Sequence, residues 1–251
     1  MGKYTKGKRK SILILSIIRL LCVIVLIISI IYIIKWYIDI KQNKELEQKV
    51  SEAITIENIE DGIDNEYKVD FKKLKEINNE TVGWLKVKGT DIEYSIVQAN
   101  DNDYYLRRNL NKEYNVAGWI FMDYKNKLDG TDKNIIIYGH NMRNDSMFGT
   151  LTNVLKEEWY NNEENYIIDF ITENKQEKYR VFSVYQTENE DYYINTEFKN
   201  DEFEKFLQTL KNRSIKDFKV DISKEDSILT LSTCANNNKY RVVLHAKKIS
   251  K

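Results

Sequence analysis

From residue 82 onward the chain falls into eight segments of five to seven residues rich in Val, Ile, Tyr and Trp. They are G-W-L-K-V-K at 83–88, I-E-Y-S-I-V at 92–97, A-G-W-I-F-M at 117–122, N-I-I-I-Y at 134–138, N-Y-I-I-D-F-I at 165–171, Y-R-V-F-S-V-Y at 179–185, S-I-L-T-L-S at 227–232 and Y-R-V-V-L-H-A at 240–246. Stretches carrying Gly, Asn and Asp separate them. β-Branched and aromatic side chains suit a pleated, half-buried surface, and Gly, Asn and Asp favour turns, so each segment predicts a strand. Closing eight strands on themselves removes the unpaired edges that an open sheet would leave. The expected fold is mainly β, a closed eight-stranded barrel.

Three helical stretches accompany the strands. V-D-F-K-K-L-K-E-I-N has apolar residues at 69, 71, 74 and 77, with Asp70 placed to cap. F-G-T-L-T-N-V-L-K-E-E-W-Y at 148–160 predicts one or two short helices, and D-E-F-E-K-F-L-Q-T-L-K at 201–211 sets Phe203, Phe206, Leu207 and Leu210 on one helical face. That face is expected to cover the barrel wall.

The N-terminus has a different character. Lys3, Lys6, Lys8, Arg9 and Lys10 precede a run from Ile12 to Ile34 that is apolar apart from Ser16, Arg19, Ser29 and Tyr32. About 20 apolar residues span a bilayer, and basic residues before the span stay in the cytoplasm. Arg19 lies near enough to the cytoplasmic side to snorkel. The run is longer than a signal-peptide core, and no small-x-small cleavage site follows it. The expected layout is a cytoplasmic basic tail at 1–10, a transmembrane anchor at 11–34, a helical stalk and linker at 35–66, and an extracellular folded domain at 67–251.

Lys plus Arg and Asp plus Glu number 39 each, so no net field recruits nucleic acid. Two cysteines and two histidines stand at no metal-ligand spacing, and neither a metal nor a cofactor is expected. Cys22 lies in the apolar run, out of reach of Cys234, which makes Cys234 a lone extracellular thiol.

The surroundings of Cys234 suggest chemistry. I-L-T-L-S-T-C at 228–234 and Y-R-V-V-L-H-A at 240–246 are two strand-like runs joined by a short polar turn, bringing a thiol and a guanidinium together. His140 ends N-I-I-I-Y-G-H, where Gly139 is expected to allow a sharp exit from the sheet. Only a thiolate is strongly nucleophilic, only a histidine titrates in the useful range, and an arginine keeps its charge to hold an oxyanion. His245 shares the face of Arg241 but lies roughly 13 Å further along at about 3.3 Å per residue, so it reads as structural.

T-L-S-T-C at 230–234, Y-G-H-N-M at 138–142 and Y-R-V-V at 240–243 resemble the cysteine, histidine and arginine motifs of the sortases. N-D-Y-Y-L at 102–106 and F-M-D-Y-K-N at 121–126 are similar to segments of the class B sortases of Gram-positive bacteria, and the resemblance covers residues 67–251. It implies a sortase-type barrel and a cell-membrane cysteine transpeptidase. Such an enzyme cleaves a C-terminal sorting motif of surface proteins and joins the new carboxyl end to a cell-wall amine. By motif position Cys234 is the nucleophile, His140 the acid and base, and Arg241 the oxyanion group. Asn102, Leu106, Tyr193, Ile194 and Ser232 fall at groove-lining positions. The loop A-N-N-N-K-Y at 235–240 is shorter than is usual for class B, so no expectation about the preferred motif carries over. Two other readings share these residues: a membrane-anchored cysteine peptidase with water as acceptor, and a non-catalytic wall-binding barrel.

Overall fold

A computed structural model describes residues 2–58, 65–188, 190–199, 201–234 and 239–249, with the backbone alone for residues 2–11, 57, 58, 65 and 234. Two compact units divide the chain, Met1–Lys44 and Glu45–Lys251.

The first unit consists of helix α1 (Gly2–Ser51) up to residue 44. Its large apolar side chains from Ile12 to Ile38 are 43 to 70% exposed, and the helix is long and apolar enough to cross a membrane. Such a stretch would be a liability in water.

The second unit begins at Glu45, earlier than the start near Tyr67 expected from sequence. Leu46 and Val50 on the last turns of α1, and Ala53 beyond it, are buried in the main core. Strand β1 (Ile54–Asn58) then pairs antiparallel with β2 (Asn65–Val69), in register from Ile54↔Val69 to Asn58↔Asn65. Residues 45–66 are therefore more than a stalk and linker; residues 59–64 of that expected linker lie outside the described residues. Helix α2 (Phe71–Ile77) follows, with Asp70 accepting a hydrogen bond from Lys73 N at 3.1 Å, a cap that satisfies one orphan donor of the first turn.

The barrel strands are β3 (Thr81–Val87), β4 (Glu93–Val97), β5 (Phe121–Met122), β6 (Asn134–His140), β7 (Ile167–Ile171), β8 (Gln176–Glu188), β9 (Ile228–Cys234) and β10 (Tyr240–Ile249). They close in the order β10-β8-β7-β3-β4-β5-β6-β9, with β9 returning to β10. All eight expected segments contribute a strand. The third is reduced to two residues, because Gly118 at φ +59° turns the chain just before it. Most pairs are antiparallel; β4–β5 and β6–β9 are parallel. Every residue of β6 is buried, as its continuous apolar run requires of a strand covered on both faces.

Alternation along β9 and β10 sorts their side chains between two cores. Leu229, Leu231, Val242, Leu244 and Ala246 belong to the main core, whereas Ile228 and Val243 join a second, smaller cluster. That cluster lies under the amphipathic helix α4 (Glu202–Arg213), which follows the short α3 (Glu157–Tyr160) in the chain. Phe203, Phe206, Leu207 and Leu210 supply its buried face, at the expected helical spacing.

A directional hydrogen-bond chain runs through this layer. Thr230 Oγ1 donates to Asn134 Oδ1 at 2.6 Å, so it must accept from His245 Nδ1 at 2.9 Å, and His245 Nε2 then accepts from Tyr185 Oη at 2.9 Å. Asn134 Nδ2 ends the chain by donating to Asn195 O at 2.9 Å, pinning the segment between β8 and α4 to the barrel. Burial holds His245 neutral, pushing its pKa down to about 3.

Candidate active site

β6 and β9 run parallel and end together, with His140 the register partner of Cys234. β9 and β10 pair from Ile228↔Lys247 to Ser232↔Val243, and Arg241 follows two residues beyond the last pair. His140 and Cys234 thus lie side by side at the roughly 4.8 Å spacing of neighbouring strands, and Arg241 reaches the same end of β9 from the adjacent strand β10. Cys234 is described by its backbone alone, and residues 235–238 of the loop that follows lie outside the described residues.

Thr233 opens the ladder at this end. Its hydroxyl accepts from Val242 N at 2.9 Å, and its carbonyl accepts from Arg241 Nη1 at 2.8 Å. Both bonds substitute for strand pairing and hold the guanidinium beside the end of β9.

His140 is 4% exposed, with Nε2 2.7 Å from the carbonyl oxygen of Leu106. A carbonyl can only accept, so Nε2 carries the hydrogen and the neutral ring keeps its lone pair on Nδ1. Among the described residues Nδ1 is buried with no hydrogen-bond partner. Burial lowers the His140 pKa below its ordinary value; the bond to Leu106 opposes that shift, and the Arg107 and Arg241 charges reinforce it.

Gly139 plays a different part from the one expected of it. A Cβ there would lie 2.4 Å from Ile120 Cδ1 and 2.7 Å from Phe148 Cγ, so the position needs glycine for close packing within β6 rather than for an exit from the sheet.

A cleft of about 210 Å³ is lined by Asn102, Leu106, Tyr193, Ile194 and Arg241, all singled out from sequence, together with Phe121, Tyr138 and Asp191. Leu106 belongs to a 3-10 turn (Tyr104–Leu106), and its residue serves both features, lining the cleft while its carbonyl holds His140. Ser232 does not line the cleft. It is fully buried, with Oγ 3.0 Å from Tyr193 Oη, and steadies a wall residue instead.

Phe121, Tyr138 and Asp191 escaped the sequence reading. Tyr138 was accessible to it, because two residues before His140 on one strand means the same face. Asp191 had no such signal. Among the described residues no group of three or more His, Cys, Asp or Glu side chains is placed to hold a metal ion.

The closed eight-stranded barrel corresponds to known proteins. The family model described as Sortase domain matches residues 85–249. Sortase B of Staphylococcus aureus (strain NCTC 8325 / PS 47) is 34% identical over 241 residues, 94% of this chain and 96% of the relative. Sortase B of Listeria monocytogenes serovar 1/2a is 35% identical over 215 residues, covering 84% of this chain and 87% of the relative. The X-ray structure of Clostridium perfringens sortase B superposes with a TM-score of 0.67 at 39% identity, covering 72% of this chain and all of that one. The chain belongs to the sortase family, and these relatives place it with the class B sortases.

Proposed function

We propose that the chain is a membrane-anchored cysteine transpeptidase that cleaves the C-terminal sorting motif of surface proteins and transfers the new carboxyl end to a cell-wall amine. The observation that carries this reading is the pairing of His140 with Cys234 at the ends of β6 and β9, beside a cleft that Arg241 lines and whose Leu106 holds His140.

In the first half-reaction His140 Nδ1 takes the thiol proton of Cys234, and the thiolate attacks the scissile carbonyl carbon. Arg241 faces the oxyanion that forms, with its carbonyl contact to Thr233 restricting where the guanidinium can sit. The C–N bond breaks, the imidazolium returns its proton to the departing amine, and a thioester remains. In the second half an incoming amine loses a proton to His140 and attacks the thioester. The C–S bond breaks, the imidazolium returns that proton to the Cys234 thiolate, and a new amide forms. Asn102, Leu106, Tyr193 and Ile194 bind the motif, with Phe121, Tyr138 and Asp191 beside them, while Ser232 supports Tyr193 from below.

Relatives support both substrate classes. Staphylococcus aureus sortase B is known as a substrate complex, and a sortase B is known complexed with triglycine. A short glycine peptide is accordingly the first amine to offer here.

The exposed apolar helix supports residues 11–34 as the anchor, with the basic tail 1–10 in the cytoplasm and the barrel domain on the outer face.

The test is product analysis with the full-length chain in detergent, sorting-motif peptides and increasing triglycine. Amine-dependent ligation that is lost in Cys234→Ala supports the transpeptidase. Hydrolysis that no amine diverts would make the enzyme a peptidase. Absence of any turnover would leave a binding barrel.

A further inference from the structure

Asp123 follows β5 directly, is 3% exposed, and has no part in the chemistry above. Its Oδ2 accepts hydrogen bonds from two cleft-lining side chains, Asn102 Nδ2 and Tyr138 Oη, each at 2.9 Å. Its Oδ1 accepts from Lys125 N at 2.9 Å. The main chain at Asp123 is held as well, since its carbonyl accepts from Gln98 Nε2 at 2.9 Å and from Asn126 N at 3.1 Å. Asn102 is gripped at both ends, because its Oδ1 accepts from Tyr124 N at 3.1 Å.

A carboxylate fits this pattern of donors. It offers acceptors at both oxygens and no hydrogen of its own. An asparagine of the same shape would turn an amino group toward either the Asn102 and Tyr138 donors or the Lys125 amide. With both ends of its amide spent, Asn102 has one Nδ2 hydrogen left, for which the described residues offer no partner.

We propose that Asp123 is the positioning residue of the cleft floor: its carboxylate fixes Asn102 and Tyr138 together so that the remaining Asn102 hydrogen meets a carbonyl of the bound peptide. This rests on the peptide-cleaving reading of the cleft. Asp123 touches neither the substrate nor the reacting atoms, and acts in binding rather than in the chemical step.

The test is steady-state kinetics of the full-length chain in detergent, comparing wild type, Asp123→Asn, Asn102→Ala and the double variant. Asp123→Asn should raise the peptide KM about tenfold, the scale of a lost charge-assisted hydrogen bond. Loss of binding alone leaves kcat, the KM for the amine and the alkylation rate of Cys234 by iodoacetamide within about twofold of wild type. In the Asn102→Ala background, Asp123→Asn should add less than about threefold to the peptide KM, because both changes remove one interaction. Tyr138→Phe, which leaves the carboxylate in place, should raise the peptide KM about threefold and provides the readout if Asp123→Asn does not fold.

Multiplicative effects in the double variant would overturn the proposal. So would a fall in kcat and thiol alkylation at unchanged KM. A wild-type chain that neither cleaves peptides nor reacts with iodoacetamide would overturn it together with the functional reading, whereas a wild-type KM in Asp123→Asn would overturn the role of Asp123 alone.

Discussion

The carbonyl oxygen of Leu106 lies 2.7 Å from His140 Nε2, which makes a cleft residue the partner that sets the tautomer of the proposed general base. With burial and two guanidiniums lowering its pKa, His140 should be neutral at pH 6.5, with its hydrogen on Nε2. Nitrogen-15 NMR of the full chain reads both properties. A ring protonated above its ordinary pKa, or hydrogenated on Nδ1, would contradict the geometry.

Gly118 controls the same contact from behind. Its φ is +59°, and a Cβ there would lie 2.4 Å from Tyr105 O and 2.8 Å from Leu106 O, both backbone atoms that cannot swing away. Gly118→Ala should cost about 1 kcal/mol or more in backbone strain. It should also displace the Leu106 carbonyl from His140, and a shift of even about 1 Å at such a site can cost on the order of 100-fold in kcat. Peptide turnover and urea unfolding measure the two effects. Wild-type kcat in the folded variant would separate Leu106 from catalysis.

Buried His245 makes stability pH-dependent. Its folded pKa of about 3 lies below the unfolded value, so between the two the unfolded chain binds the additional proton. Stability is fully present above the unfolded pKa near 6.5 and falls as pH drops toward 3, by up to about 1.4 kcal/mol per pH unit for this group. His140, shifted in the same direction, adds to the slope. His245→Gln removes this titration, so urea unfolding between pH 7 and 5 should show a shallower acid loss than wild type. Equal slopes would rule the group out.

A shortened chain tests where the folded unit begins. Leu46, Val50 and Ala53 are each 2 to 3% exposed. At about 1.5–3 kcal/mol for burying a large aliphatic side chain, residues 67–251 should be several kcal/mol less stable than residues 45–251. Urea midpoints of the two proteins decide it, and equal midpoints would contradict the packing.

The barrel was legible because its strands alternate or run apolar over five or more residues and Gly, Asn and Asp punctuate them. The β1–β2 pair was not. I-T-I-E-N reads as a strand only once N-E-Y-K-V is known to lie opposite, and the burial of Leu46 and Val50 amid charged neighbours depends on segments remote in sequence. Cys234, His140 and Arg241 could be picked out as reactive types at the ends of strand-like runs. The cleft was only partly accessible, since Phe121, Asp191 and the supporting Asp123 meet Asn102 and Tyr138 through the closure of the barrel, which no local pattern records. Gly139 was legible as a constrained position, but its cause, the crowding by Ile120 and Phe148, is tertiary.

The most direct measurement of the central claim is the intact mass of the full-length chain, quenched in acid seconds after mixing with a sorting-motif peptide without amine. The account requires an acyl adduct on Cys234 that hydroxylamine releases, absent in Cys234→Ala and formed more slowly in His140→Ala and Arg241→Ala. An unmodified Cys234 during active peptide cleavage, or an adduct on another residue, would contradict it.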